Sequence, residues 1–208
     1  MDVDSPRRNG EDFGDGGSGS DFMGFVKFGE AGNGKQFMDS LREIDKPPMG
    51  SLASDLSHKE TTPLTEADRE EIKKATGWSD EIIDAISSFE EYALYRMLGL
   101  EATEVNGKPC LVKTEIDPDQ KDELGRTNKE RMKNGLPPLD KNGEPIELHH
   151  IGQKPNSPLA ELSKSEHRGK GNDGILHDKT KGTEIDRVEF SREKAQHWKA
   201  RAENAQEV

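Results

Sequence analysis

The chain has 208 residues, 29% hydrophobic and 35% charged, with 30 Lys and Arg against 42 Asp and Glu for a formal net charge of −12. Leu, Ile, Val and Phe together make up roughly 18% of it, under the ~20% below which a chain is expected to stay partly unfolded, so no single core can span its whole length. No apolar run approaches the ~18 residues a membrane span needs, the N-terminal MDVDSPRRNGEDFG lacks the apolar centre of a signal peptide, and a lone cysteine, Cys110, excludes an internal disulfide framework or a cysteine-based zinc ribbon.

Ten of the 21 glycines fall in the first 50 residues. The stretch GEDFGDGGSGSDFMGF has no sustained period, so residues 1–61 read as a disordered, Gly-rich arm or linker. Within it, Gly29 to Lys35 satisfies the GxxxxGK spacing of a phosphate-cradling loop. The next residue is Gln36, where magnesium needs Ser or Thr, and no alternating strand–helix pattern follows; this is linker.

From Thr65 the pattern changes. Thr65 and Asp68 predict a helix start, with a stop near Gly77. A second helix fits Asp80 to Ser87, and a third runs from Ser88, with Glu91 completing a capping box, to Gly99. Ala102–Val105 and Cys110–Val112 flank Asn106-Gly107, a strong hairpin signal. Residues 62–116 are thus a helical lead-in with a β-hairpin, and Cys110 is a buried structural thiol. Beyond Asp117 come a short helix capped by Thr127 and Glu130, a Pro137-Pro138 break, a strand from Ile146 to Ile151, a proline-bounded loop, and a returning strand from Leu159 to Leu162. Ser163 with Glu166 then caps a helical turn, and a last helix spans about Arg192 to Ala202 behind Ser191. Residues 117–208 are taken as the domain that carries chemistry.

Five of the six histidines (His149, His150, His167, His177, His197) lie in the last 60 residues. Imidazole is both a common transition-metal ligand and the usual general base near neutral pH. In a regular strand Glu147 and His149 share one face while Leu148 and His150 share the other. Both histidines serve one site only if the strand ends or bulges there, for which Gly152 offers support. Otherwise His150 is a core histidine and Glu147 the better ligand partner of His149. His167 and His177 are ten residues apart, with Gly169, Gly171 and Gly174 between them. They cannot share one face of one short helix, so their convergence depends on how that segment folds. Gln153 and Asn172 are either supporting donors or ordinary turn residues. Trp198 packs the last helix, which makes His197 a surface or edge residue unless it supports the site.

Ile146-Glu147-Leu148-His149-His150-Ile151-Gly152-Gln153 resembles the signature of the LHH family. That family is a branch of the HNH/endonuclease VII (His-Me finger) nucleases, found as C-terminal toxin domains of bacterial polymorphic toxins. Ser157-Pro158-Leu159-Ala160-Glu161-Leu162, Glu166-His167, Gly171-Asn172, Leu176-His177-Asp178 and His197-Trp198-Lys199 agree with it, and the resemblance extends over about residues 77–202. It implies an α+β fold built on a ββα-metal unit that holds one divalent cation (Mg, Mn, Zn or Ni). By position, His149, His167 and His177 resemble metal ligands and His150 the general base, with Glu147, Gln153, Asn172 and His197 in support. The implied activity is metal-dependent hydrolysis of phosphodiesters, with DNA favoured over RNA. The implied setting is a toxin made in the cytoplasm, exported by a specialised system and blocked by a cognate immunity protein, with no membrane insertion. The competing readings are a non-enzymatic binding module with a structural histidine–metal site, against which the adjacent His149-His150 pair speaks because such a site needs no neighbouring free imidazole, and an RNA-specific nuclease on the same scaffold.

The acidity argues against a nucleic-acid enzyme only until it is divided. Residues 1–116 carry a net −11, residues 117–208 a net −1, and residues 164–201 a net +3.

Overall fold

The computed structural model describes residues 61–180, 182 and 184–204. The expected Gly-rich arm, with the GxxxxGK stretch, lies outside the described residues. Three helices come first: α1 (Glu66–Thr76), α2 (Asp80–Ala85) and α3 (Phe89–Met97). A hairpin follows, β1 (Glu101–Val105) and β2 (Lys108–Val112), then α4 (Asn128–Lys133). β3 (Glu147–His150) runs into a 3-10 turn (Ile151–Gln153), and β4 (Leu159–Leu162) leads to α5 (Lys164–Arg168), α6 (Asn172–Leu176) and α7 (Arg187–Asn204).

The local signals act as their chemistry dictates. Thr65, Thr127 and Ser163 each close a reciprocal capping box with the carboxylate three residues on. Asn106 and Gly107 both take positive φ, +55° and +71°, which gives the two-residue turn the twist a hairpin needs.

The strands form one mixed sheet in the order β1-β2-β4-β3. β1 and β2 are antiparallel, β2 and β4 parallel, and β4 and β3 antiparallel. The β2–β4 pairing carries the lead-in hairpin and the histidine-bearing hairpin in one sheet. β2 thus meets β1 on one edge and β4 on the other, across the expected 116/117 division.

Side-chain alternation then sorts two cores. On one face Leu111, Ala160 and Leu162 join Ile72, Trp78, Ile82, Ile83, Phe89 and Tyr95 of the helical segment. On the other, Cys110, Val112, Leu148 and Leu159 pack with Met132, Trp198 and Ala202. β3, β4 and α5 follow in the ββα order that the resemblance implied, at the edge of the sheet. Among the described residues no helix is long and apolar enough to cross a membrane.

Two elements differ from expectation. α7 begins at Arg187 rather than near Arg192, because Asp186 and not Ser191 caps it: its Oδ1 accepts from the N–H groups of Val188 (2.7 Å) and Glu189 (3.0 Å). Its first turns are exposed, Val188 by 61%, so they show no apolar stripe to read. α6 was not foreseen, since Gly171 and Gly174 suggested loop.

Candidate metal centre

β3 pairs with β4 in unbroken register, Glu147 opposite Leu162 through His150 opposite Leu159, and ends at His150. Glu147 and His149 therefore face the helical side of the sheet, and Leu148 and His150 face α7. The chain after His150 turns at once, with Gly152 at φ +66°.

On the helical side three imidazoles converge. Nε2 of His167 lies 3.2 Å from Nδ1 of His149 and 3.2 Å from Nε2 of His177. One ligand atom from each of the three falls within 4.8 Å of the others. His149 comes from the strand, His167 from α5 and His177 from the residue that ends α6. α6 is the segment that solves the ten-residue spacing: His177 folds back over its last turn, with its N–H bonded to the Asp173 carbonyl at 3.0 Å.

The protonation pattern follows from the partners. Nδ1 of His167 is 2.7 Å from Oε2 of Glu147, and a carboxylate only accepts, so Nδ1 carries the proton and Nε2 the lone pair. Burial opposes ionisation of Glu147, but the hydrogen bonds from Arg168 (2.8 Å) and His167 outweigh it and hold its carboxyl below the usual range. Nδ1 of His177 is likewise 2.9 Å from Oδ1 of Asp173, whose carboxyl is lowered chiefly by Lys179, bonded to its other oxygen at 2.5 Å. Burial, reinforced by the two neighbouring imidazoles, holds His149 well below the ordinary histidine value; burial lowers His167 too, against the pull of Glu147. For His167 and His177 the outer Nδ1 lies against a carboxylate and Nε2 turns inward, and His149 turns its Nδ1 to the same point; a divalent cation requires an inward-facing lone pair of each histidine ligand. The donor set fits a bound cation.

His150 stands apart from this cluster. Its ring tilts against Phe190 (centroids 4.4 Å apart), and its Nε2 lies 2.9 Å from Oε2 of Glu193. Glu193 is in turn paired with Lys108; burial opposes its ionisation, yet these two partners bring its pKa to about 2. Nδ1 of His150 is buried and has no hydrogen-bond partner among the described residues.

The remaining expected residues divide. Glu147 orients a ring of the cluster, as above. Gln153 accepts from the Asp178 N–H at 2.7 Å, which ties the turn after β3 to the chain just beyond His177. Asn172 donates to the Glu166 carbonyl at 3.0 Å, and its buried Oδ1 has no partner among the described residues. His197 is not at the surface: it is buried, 2.8 Å from Oε1 of Glu161, which also accepts from Nε of Arg201 at 2.8 Å. That trio braces α7 against β4, away from the imidazole cluster. Cys110 is buried, as expected, and burial pushes its thiol up to about 11, so it is not poised as a nucleophile.

Sequence reasoning missed Asp173, Glu193 and Glu91. Asp173 was accessible from its i, i+4 spacing to His177 had α6 been recognised. Glu193 requires knowing that α7 lies over β3. Glu91 was read as half of a capping box; Ser88 does accept from the Glu91 N–H (3.1 Å), but the carboxylate turns inward.

The comparison with known families agrees with this geometry. Residues 127–204 match the LHH family model, described as a nuclease of the HNH/ENDO VII superfamily with conserved LHH. The C-terminal region of this chain is therefore similar to the LHH nucleases. The LHH segment begins at the cap of α4 and spans β3 to α7, so it contains all three converging imidazoles and His150. The match supports a nuclease function for the chain, and the histidine cluster is compatible with the divalent metal typical of this superfamily. No solved structure matches the chain.

Proposed function

We propose that the chain is a metal-dependent endonuclease, with one divalent cation held by His149, His167 and His177 and with DNA as its substrate. The observation that carries this is the convergence of three imidazole nitrogens, one from each ring, within the segment that matches the LHH model. A divalent cation there would supply Lewis-acid stabilisation of the charge that grows on the phosphodiester oxygens.

The proton-accepting role falls to His150. Glu193 holds its Nε2–H, which leaves Nδ1 with the lone pair, the tautomer of a carboxylate-oriented general base. As a water oxygen forms the new bond to phosphorus and the P–O3′ bond breaks, the water proton passes to Nδ1. β3 is an edge strand, so its two faces meet at a free edge along which a phosphodiester can lie between His149 and His150. Nδ1 is buried under Phe190, so this step requires the start of α7 to give way. Arg168, with its side chain 64% exposed beside Glu147, offers a cationic rim to the backbone of the substrate. The setting we propose is a bacterial polymorphic toxin, met in the producing cell by an immunity protein.

Nicking of plasmid DNA and cleavage of RNA with added magnesium, manganese, nickel or zinc test this, with His150→Ala alongside. Cleavage by the parent and not by the variant supports the base. Equal cleavage removes it. No cleavage of either substrate under any metal, together with unfolding on chelation, favours a structural histidine–metal site instead.

A further inference from the structure

The imidazole cluster has a neighbour outside the LHH segment. Nδ1 of His149 faces the other rings, whereas its Nε2 is buried without a hydrogen-bond partner among the described residues. Oε1 of Glu91, on α3, lies 4.0 Å from that nitrogen. Glu91 is itself fully buried and surrounded by donors. The Ser87 N–H and hydroxyl reach its Oε2, each at 2.7 Å; the Tyr95 hydroxyl (2.7 Å) and the Gly152 N–H (2.9 Å) reach its Oε1. Four donors fill the acceptor sites of one carboxylate, so the group is fixed in place.

A neutral imidazole has one ring proton. Facing a fixed, buried carboxylate oxygen, that proton is stabilised on Nε2, since Coulomb attraction is strong where water is excluded. Nδ1 then keeps the lone pair it turns toward His167 and His177. The other two rings obtain the same result from Glu147 and Asp173 within the LHH segment.

We infer that Glu91 is a positioning residue of the metal centre: it sets His149 as its Nε2–H tautomer, so the helical lead-in, and not residues 127–204 alone, completes the cation site. The inference rests on the cation reading above, but its tautomer half can be measured without metal.

The experiment uses the full chain, ¹⁵N-labelled and metal-free at mildly alkaline pH, with the His149 ring nitrogens read by long-range ¹H–¹⁵N correlation and zinc affinity measured by competition with a chelating dye. In the parent, Nε2 of His149 carries the proton. In Glu91→Gln that preference is lost and zinc binds 10- to 100-fold more weakly, the usual effect of removing an outer partner of a ligand. A parent His149 protonated on Nδ1 overturns the inference, as does a folded Glu91→Gln that keeps both the tautomer and an affinity within twofold. Should Glu91→Gln not fold, Tyr95→Phe decides together with the parent tautomer. It removes one competing donor from Oε1 without touching His149, so zinc should bind as tightly or more tightly. A tenfold loss in Tyr95→Phe would reduce Glu91 to a packing brace and overturn the inference. A parent that binds no zinc yet shows the Glu91-dependent tautomer leaves the positioning intact and removes the metal assignment instead.

Discussion

Nδ1–H of His167 donates to Oε2 of Glu147 across 2.7 Å, and the same oxygen accepts from Nε of Arg168 at 2.8 Å. The pair decides which nitrogen of His167 faces inward, and it joins strand β3 to helix α5 through a functional side chain rather than through apolar packing.

Removing that carboxylate should leave the fold intact, because Glu147 lies on the edge strand and is only half-buried. Glu147→Gln is expected to weaken zinc binding by about 10- to 100-fold. Titration calorimetry checks this; an unchanged affinity would mean that His167 needs no help to present Nε2.

Loss of a ligand should cost more than loss of its support. His177→Ala is expected to weaken the cation by more than the ~100-fold upper range for outer partners. Thermal melts provide the second reading. The parent should be stabilised by about 2.7 kcal/mol at a cation concentration 100 times its Kd, and the variant by less than about 0.4 kcal/mol at that concentration. His197→Ala should lower stability and leave cation affinity untouched, since His197 is bonded to Glu161 on the α7 side.

Gly152 is where the lead-in helices touch the end of β3. Its φ is +66°, and a Cβ there would stand 2.1 Å from the Ala85 carbonyl oxygen at the end of α2. Gly152→Ala is expected to destabilise the protein by at least about 2 kcal/mol, combining left-handed strain with a backbone clash. Urea denaturation measures it, and a change under about 0.5 kcal/mol would show that the turn rearranges freely.

The metal-free protein should lose stability as pH falls through the histidine range. His149 and His167 both titrate below their ordinary value, so near pH 6.5 the unfolded chain takes up protons that the folded chain refuses. The folded state therefore binds fewer protons, and stability is complete above about pH 6.5 and declines below it, by up to about 1.4 kcal/mol per pH unit for each such group. Denaturant midpoints between pH 8 and 5 test the sign. A rise in stability on acidification would contradict the neutral-ring arrangement.

Much of this was legible in the residues. Caps at Thr65, Thr127 and Ser163, the Asn106-Gly107 turn and the β3–β4–α5 order are local, and local chemistry fixes them. The face alternation of Glu147 and His149 against His150 follows from strand geometry and is what the ladder shows. What escaped was non-local. The parallel pairing of β2 with β4, which joins lead-in and LHH segment, leaves no periodic trace in either strand. The inward turn of Glu91 depends on Gly152 and Tyr95 arriving from different distances along the chain. α6, five residues with a glycine inside, has too little pattern to stand out, yet it is the piece that brings His177 to His167.

The most direct test is to strip the full chain of metal with a chelator, remove the chelator, and follow plasmid nicking as a divalent cation is titrated back. A single three-imidazole centre predicts no cleavage by the stripped protein and activity that saturates at one cation per chain, with His167→Ala inactive across the same range. Full cleavage by the stripped protein, or an equally active His167→Ala, would contradict it.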